Sequence, residues 1–148
     1  MRPERPASTV SGATGRGNRA KGGGRPFAEP AAVVLLLAVH ALLAFTSLTH
    51  KSVTFDEPIH IAGGYSYWHY QDYRLHPENG MLPQRWVALP LWLAGYEFVA
   101  PDHPAWRKGR PWVVGGEFLY EMGHDLPTLL VMSRAMVVLA SLGLGLLA

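Results

Sequence analysis

Residues 31–48 read AAVVLLLAVHALLAFTSL, eighteen positions with no formal charge and with His40, Thr46 and Ser47 as the only clearly polar members. At about 1.5 Å per residue a helix of this length reaches ~27 Å, close to the ~30 Å hydrocarbon core of a bilayer. Read as a membrane span, the run decides the fold class, because the segments on either side of it then face different solvents. A secretory signal peptide is the rival reading, with Val39-His40-Ala41 as a weak cleavage site. Against it, the run exceeds a usual h-region, the leader before it is long, and no A-x-A site follows. His40 is expected to bond between helices or to face a polar cavity, not to act in catalysis.

Upstream, residues 1–26 are rich in Gly, Arg, Ser, Thr and Pro and nearly devoid of large apolar side chains. Such a stretch buries too little surface to offset its ordering entropy and is expected to be disordered. It carries six basic residues against one acid, Glu4. That balance suits a cytoplasmic tail. A nucleic-acid arm is the other meaning of such a charge run, but the interleaved aromatics and paired domain it needs are missing, so no nucleic-acid partner is expected. Downstream, residues 50–125 hold nine acids against six basic residues, so the charge falls from +5 in the tail to −3 here. Basic segments stay on the cytoplasmic side, which places this loop outside.

From Leu126 the chain turns apolar again, interrupted by Thr128, Ser133, Arg134 and Ser141. A second span is expected from about Ala135 onward. Residues 141–148 are apolar without a stop signal, so that span is expected to be cut short and the chain to be a piece of a longer protein. The expected organisation is therefore all-α and membrane-helical. It comprises a basic cytoplasmic tail (1–26), a first transmembrane helix (27–49), an extracytoplasmic helical loop with an interfacial helix (50–125) and a truncated second transmembrane helix (126–148). Charged residues make up 16% of the chain, below the ~25% usual for soluble domains. The absence of cysteine excludes a disulfide-stapled fold, a thiolate zinc site and a cysteine nucleophile.

The loop opens with Thr54-Phe55-Asp56-Glu57-Pro58-Ile59-His60. Thr54 and Glu57 match a capping box, while Asp56 as N-cap suits Pro58 in the first helical turn. Either way two adjacent carboxylates sit at a helix N-terminus, whose dipole favours their ionised form, at the water-facing edge of a span. They are candidate catalytic groups, or they simply cap the helix. His60 lies three and four residues beyond them, within reach on one helix face, so a divalent metal is a possible cofactor on these three residues. Gly63-Gly64 suggests a close backbone approach. Tyr65, Tyr67, Trp68 and Tyr70 line a groove or form an interfacial belt. Residues 81–93, MLPQRWVALPLWL, are too short to span and suit a helix lying in the interface, with Gln84 and Arg85 toward headgroups and Pro90 kinking or ending it. Arg134, costly inside a bilayer unless it snorkels or pairs, is a candidate anion contact.

Taken together, Thr54-Phe55-Asp56-Glu57-Pro58-x-His60-x2-Gly63-Gly64-Tyr65-x-Tyr67, then Asp72-Tyr73-Arg74-Leu75-x-Pro77-Glu78, then Leu89-Pro90-Leu91 resembles the start of the family 39 glycosyltransferases. These are polytopic GT-C membrane enzymes related to protein O-mannosyltransferases and to the aminoarabinose transferase that modifies lipid A. Phe118-Leu119-Tyr120, Asp125 and Arg134 follow in the expected order. The chain departs from the family where many members carry His-Pro-Pro-Leu after Pro-Glu; it has Asn79-Gly80-Met81-Leu82-Pro83-Gln84.

The resemblance implies transfer of a sugar from a polyprenyl-phosphate donor to an acceptor hydroxyl of a protein, lipid A or a cell-wall glycan, with inversion, at a bacterial inner or plasma membrane. It implies Asp56 as general base with Glu57 beside it, and His60, Tyr65, Arg74 and Arg134 as substrate contacts. The isolated fragment is expected to be inactive. The alternative is a non-catalytic two-span membrane protein whose aromatic outer loop binds a partner or glycan; a secreted domain released by signal cleavage is a third.

Overall fold

A computed structural model describes residues 28–147; the expected basic tail lies outside them. All regular structure among these residues is helical. Two long apolar helices, α1 (Ala28–Leu48) and α6 (Leu126–Leu147), flank a set of shorter ones: α2 (Glu57–His69), α3 (Met81–Leu93), α4 (Pro104–Arg107) and α5 (Pro111–Gly116). A single 3-10 turn covers Pro77–Asn79, and α5 runs into a π-helical turn, Glu117–Glu121.

Both α1 and α6 are long and apolar enough to cross a membrane. They expose large apolar side chains along their length, among them Leu35, Leu36, Leu42, Leu43, Leu144 and Leu146. An apolar surface of that extent is the mark of a helix solvated by lipid or by another protein, not by water. The second apolar helix covers the expected 126–148 segment and starts nine residues ahead of Ala135. It begins at Leu126 and runs 22 residues, about 33 Å. Its onset is legible in retrospect: Asp125 accepts a hydrogen bond from the Thr128 N–H at 3.2 Å, so it caps the helix. Arg134 accordingly sits in the third turn of α6 and not at its entrance.

The two long helices run antiparallel. Leu48 O meets Arg134, His40 Nε2 meets Ser141 Oγ at 2.9 Å, and a Cβ on Gly145 would lie 2.6 Å from the end of Leu37. Residue numbers thus fall along α1 as they rise along α6. The His40–Ser141 bond is the interhelical role expected of His40.

The segment between the long helices has a core of its own, and α2 is its centre. Pro58, Ile59 and every residue from Ile61 to Tyr67 are buried. This is possible because α2 is covered by α3 on one side and α5 on the other. Gly64 lets α3 pass: a Cβ there would overlap the Gln84 carbonyl. Gly115 does the same for α5, where a Cβ would stand 2.7 Å from the Pro58 carbonyl oxygen. The loop aromatics that suggested a groove or a belt are mostly core. Tyr65, Phe98 and Phe118 stack on one another with centroids 5.0–5.1 Å apart, and Trp106 and Tyr67 are buried with them. Aromatic side chains gain most by burying area against each other in such tilted arrangements.

Pro90 lies inside α3 and does not end it at once; the helix closes at Leu93, and the Ala94 N–H bonds to the Pro90 carbonyl. Gln84 does not face headgroups. It is 2% exposed, accepting from the Tyr67 hydroxyl at 3.1 Å and donating to the His76 carbonyl at 2.9 Å. Arg85 lies over the Trp68 ring, 4.1 Å from its centroid. On the far side of α3, Leu82, Trp86 and Leu93 are exposed along one stripe, and Trp86 Nε1 donates to the Met136 carbonyl of α6 at 2.7 Å.

Candidate functional site

The N-terminus of α2, the start of α3 and the third and fourth turns of α6 enclose a cleft of about 310 Å³. Its polar lining is Thr54, Asp56, Glu57, His60, Asn79, Gln84, Ser133 and Arg134; its apolar lining is Ile61, Pro83, Val87 and Val137. Four of the six candidate site residues, Asp56, Glu57, His60 and Arg134, are thereby brought together.

The two carboxylates have different situations. Asp56 occupies the N-cap position of α2, with Pro58 in the first turn. Its carbonyl accepts from the His60 N–H at 3.2 Å, but its side chain makes no capping bond and is exposed on the cleft wall. Glu57 is engaged from three directions. Arg134 donates to it through Nε and Nη2 at 2.6 and 2.7 Å, and the Thr54 N–H donates to Oε2 at 3.1 Å. The last bond is half of the expected capping box, made by the Thr54 backbone.

Arg134 is saturated. Beyond the fork to Glu57, Nη1 donates to the carbonyls of Leu48 and Lys51 at 3.0 and 2.8 Å, and Nη2 to Ser52 at 2.9 Å. A guanidinium has five N–H groups, and all five are spent on protein acceptors. The two side chains are 14% exposed each. An expected anion contact is thus a clamp: it caps the unsatisfied carbonyl end of α1, fixes the 49–53 loop and holds Glu57 in place.

His60 faces His76 across 5.0 Å, ring edge toward ring face. Burial holds the His60 imidazole below its ordinary pKa and the neighbouring His76 lowers it further, outweighing the attraction of Asp56. His76 is itself buried, with Asn79 Nδ2 at 2.7 Å from Nε2. Behind them the Tyr67 hydroxyl donates to the His76 carbonyl at 2.7 Å, and burial, with Glu78 and Tyr73, pushes its pKa up to about 12. Among the described residues no group of three His, Asp or Glu is placed to hold a metal ion.

The other two candidates lie elsewhere. Tyr65 is 1% exposed in the core, its hydroxyl donating to the Tyr96 carbonyl. Arg74 is on the surface, paired with Asp72 through Nη2 at 2.6 Å and set over Trp106; this pairing holds the Asp72 carboxyl below the usual carboxylate range. Neither side chain lines the cleft.

Asn79, Gln84 and Ser133 line the cleft without having been candidate site residues. Gln84 and Asn79 are reached only through the packing of α2 on α3. Ser133 had a signal, a polar interruption of an apolar run directly beside Arg134, but the run alone gives it no partner. A second cavity of about 460 Å³ lies on the other side of Arg134, lined by Leu48, Lys51, Tyr120, Leu126 and Leu130 among others.

No family model matches the chain, and neither a curated protein nor a solved structure matches it.

Proposed function

We propose that the chain is the N-terminal part of an integral-membrane glycosyltransferase that moves a sugar from a polyprenyl-phosphate donor to an acceptor hydroxyl, with Asp56 as general base. The motifs that resemble those of family 39 glycosyltransferases suggest the reaction class. One observation carries the assignment of the base. Of two adjacent carboxylates, that of Glu57 is fully engaged by Arg134, while that of Asp56 stands on the cleft wall with no hydrogen-bond partner among the described residues.

In this reading the acceptor oxygen attacks the anomeric carbon from the face opposite the phosphate. The acceptor O–H proton passes to Asp56, the bond from the anomeric carbon to phosphate oxygen breaks, and its electron pair leaves on the phosphate. A positioned carboxylate is worth about 10²–10⁴-fold in such a proton transfer. Glu57 and Arg134 are positioning residues here: they lock the turn that presents Asp56. Because Arg134 has no donor to spare, the phosphate end of the donor is assigned to the second cavity. Its lining contains Lys51 and no carboxylate.

The membrane arrangement belongs to the same proposal. The +5 tail is cytoplasmic, the −3 loop extracytoplasmic, and α3 lies in the interface with Leu82, Trp86 and Leu93 toward lipid. A bacterial inner or plasma membrane suits this arrangement.

The test is Asp56→Asn in the full-length enzyme, assayed for sugar transfer with expression and membrane insertion measured alongside. A fall in kcat of at least about a hundredfold is expected. Near-normal turnover would falsify Asp56 as the base.

A further inference from the structure

Helical serines in this chain follow one habit. Ser47, Ser66 and Ser141 each donate to the carbonyl three residues earlier, at 2.8 Å in all three cases. That back-bond is the usual way a helix satisfies a hydroxyl it cannot present to water. Ser133 breaks the habit. It lies in α6, is 2% exposed, and its Oγ has no hydrogen-bond partner among the described residues. It also lines the cleft that holds Asp56. A buried hydroxyl that forgoes its own helix and borders a cavity implies a partner in that cavity.

The charge on the lining limits what that partner is. Glu57 and Arg134 neutralise each other, and every Arg134 donor is committed to Glu57 or to a backbone carbonyl. Asp56 adds a negative charge with no described counter-ion. Burial and His76 disfavour the charged form of His60, so it adds little positive charge to the cleft. The cleft therefore offers a phosphate no uncommitted cation and one repelling carboxylate. What it does offer is an acceptor at Asp56, a hydroxyl that both donates and accepts at Ser133, and an aliphatic wall of Pro83, Val87 and Val137. Hydroxyls on one edge and C–H groups on a face are the chemistry of a sugar or polyol unit.

We infer that the cleft seats an uncharged, hydroxyl-bearing sugar or polyol unit, and that Ser133 is its hydrogen-bonding contact from α6. This rests on the transfer reading above insofar as the seated unit is the acceptor. The seat itself can be tested by binding alone.

The test uses the 148-residue chain in lipid nanodiscs with 13C-methyl labels on Ile and Val, so that Ile61, Val87 and Val137 report on the cleft. The probes are methyl glucoside and glucose 1-phosphate, titrated separately. Methyl glucoside is expected to shift the three cleft methyls in a saturable way, and glucose 1-phosphate to leave them in place. Ser133→Ala, which suits a helix and should fold, is expected to weaken the glucoside by about three- to tenfold, the worth of one hydrogen bond. Ser133→Thr, which keeps the hydroxyl, is expected to retain most of the affinity.

The inference is overturned if the phosphate ester binds the cleft as well as the glucoside. It is equally overturned if neither probe moves the methyls, or if Ser133→Ala binds like the parent, in which case water is the hydroxyl's partner. Turnover of Asp56→Asn is a separate result: its failure removes the general base and leaves the seat standing, and the reverse also holds.

Discussion

Arg134 on α6 grips Glu57 at the start of α2 through two parallel bonds of 2.6 and 2.7 Å, across 77 residues of chain. Both partners are mostly buried, so the pair contributes little by existing and a great deal by not being broken. A matched buried pair is offset by its desolvation, whereas one charge left alone is uncompensated. Arg134→Leu is therefore expected to cost about 3–5 kcal/mol, read as a loss of unfolding free energy in a detergent titration. Arg134→Leu combined with Glu57→Leu should recover much of that loss. Arg134→Lys keeps the charge but not the planar fork, and it should fall between parent and Arg134→Leu. A double variant no more stable than Arg134→Leu would contradict this account.

Gly64→Ala should destabilise the loop. On helix propensity alone the change would gain ~1 kcal/mol. A Cβ there overlaps the Gln84 carbonyl, which is backbone and cannot swing aside, and overpacking of this kind costs about 1–3 kcal/mol. Gly116→Ala is the control, since a Cβ there meets nothing within 4 Å. The midpoint of thermal unfolding, followed by tryptophan fluorescence, should drop for the first variant only.

The expectations that held were local. Hydropathy located both long helices, the Asp-Glu-Pro order placed Asp56 and Pro58 at the start of α2, and the glycine pair marked a close crossing. What failed depended on contacts across the chain. Tyr65 looks like a groove residue until α5 and the segment around Phe98 close over it. Gln84 looks like a headgroup contact until Tyr67 and His76 claim both ends of its amide. Arg134 looks like an uncommitted cation because its five acceptors lie at Leu48, Lys51, Ser52 and Glu57, far away in sequence. Periodicity and capping rules see a window of a few turns, and the cleft is assembled from three such windows.

His60 gives the fold a pH dependence. Its folded pKa lies below its ordinary value of 6.5. As pH falls below that value the unfolded chain takes up a proton that the folded chain resists. Stability is therefore lost on acidification, down to the depressed folded pKa. Between about pH 7.5 and about pH 5 the parent should lose more unfolding free energy than His60→Gln, which does not titrate there. Equal losses in the two proteins would remove His60 as a contributor.

The His40–Ser141 bond joins the long helices away from the cleft. Ser141→Ala should weaken their association by about 0.6 kcal/mol and by no more than ~1.7 kcal/mol, the range measured for interhelical bonds in membranes. Denaturing-detergent titration of the parent and variant reads that difference directly. The cleft methyl signals of Ile61, Val87 and Val137 should be unchanged, because this contact is on another part of α6.

The Arg134 clamp also has a consequence in time. Its bonds reach back 77 to 86 residues, to carbonyls and a carboxylate made long before it. None of them can exist until the ribosome has passed position 134. Until then the carbonyl end of α1 and the turn carrying Asp56 have no cation to gather around, whatever the intervening helices have already built. The corner that presents the carboxylate thus sets only after α2 through α5 and the first turns of α6 have been made, and the same residue that completes it also joins the two long helices.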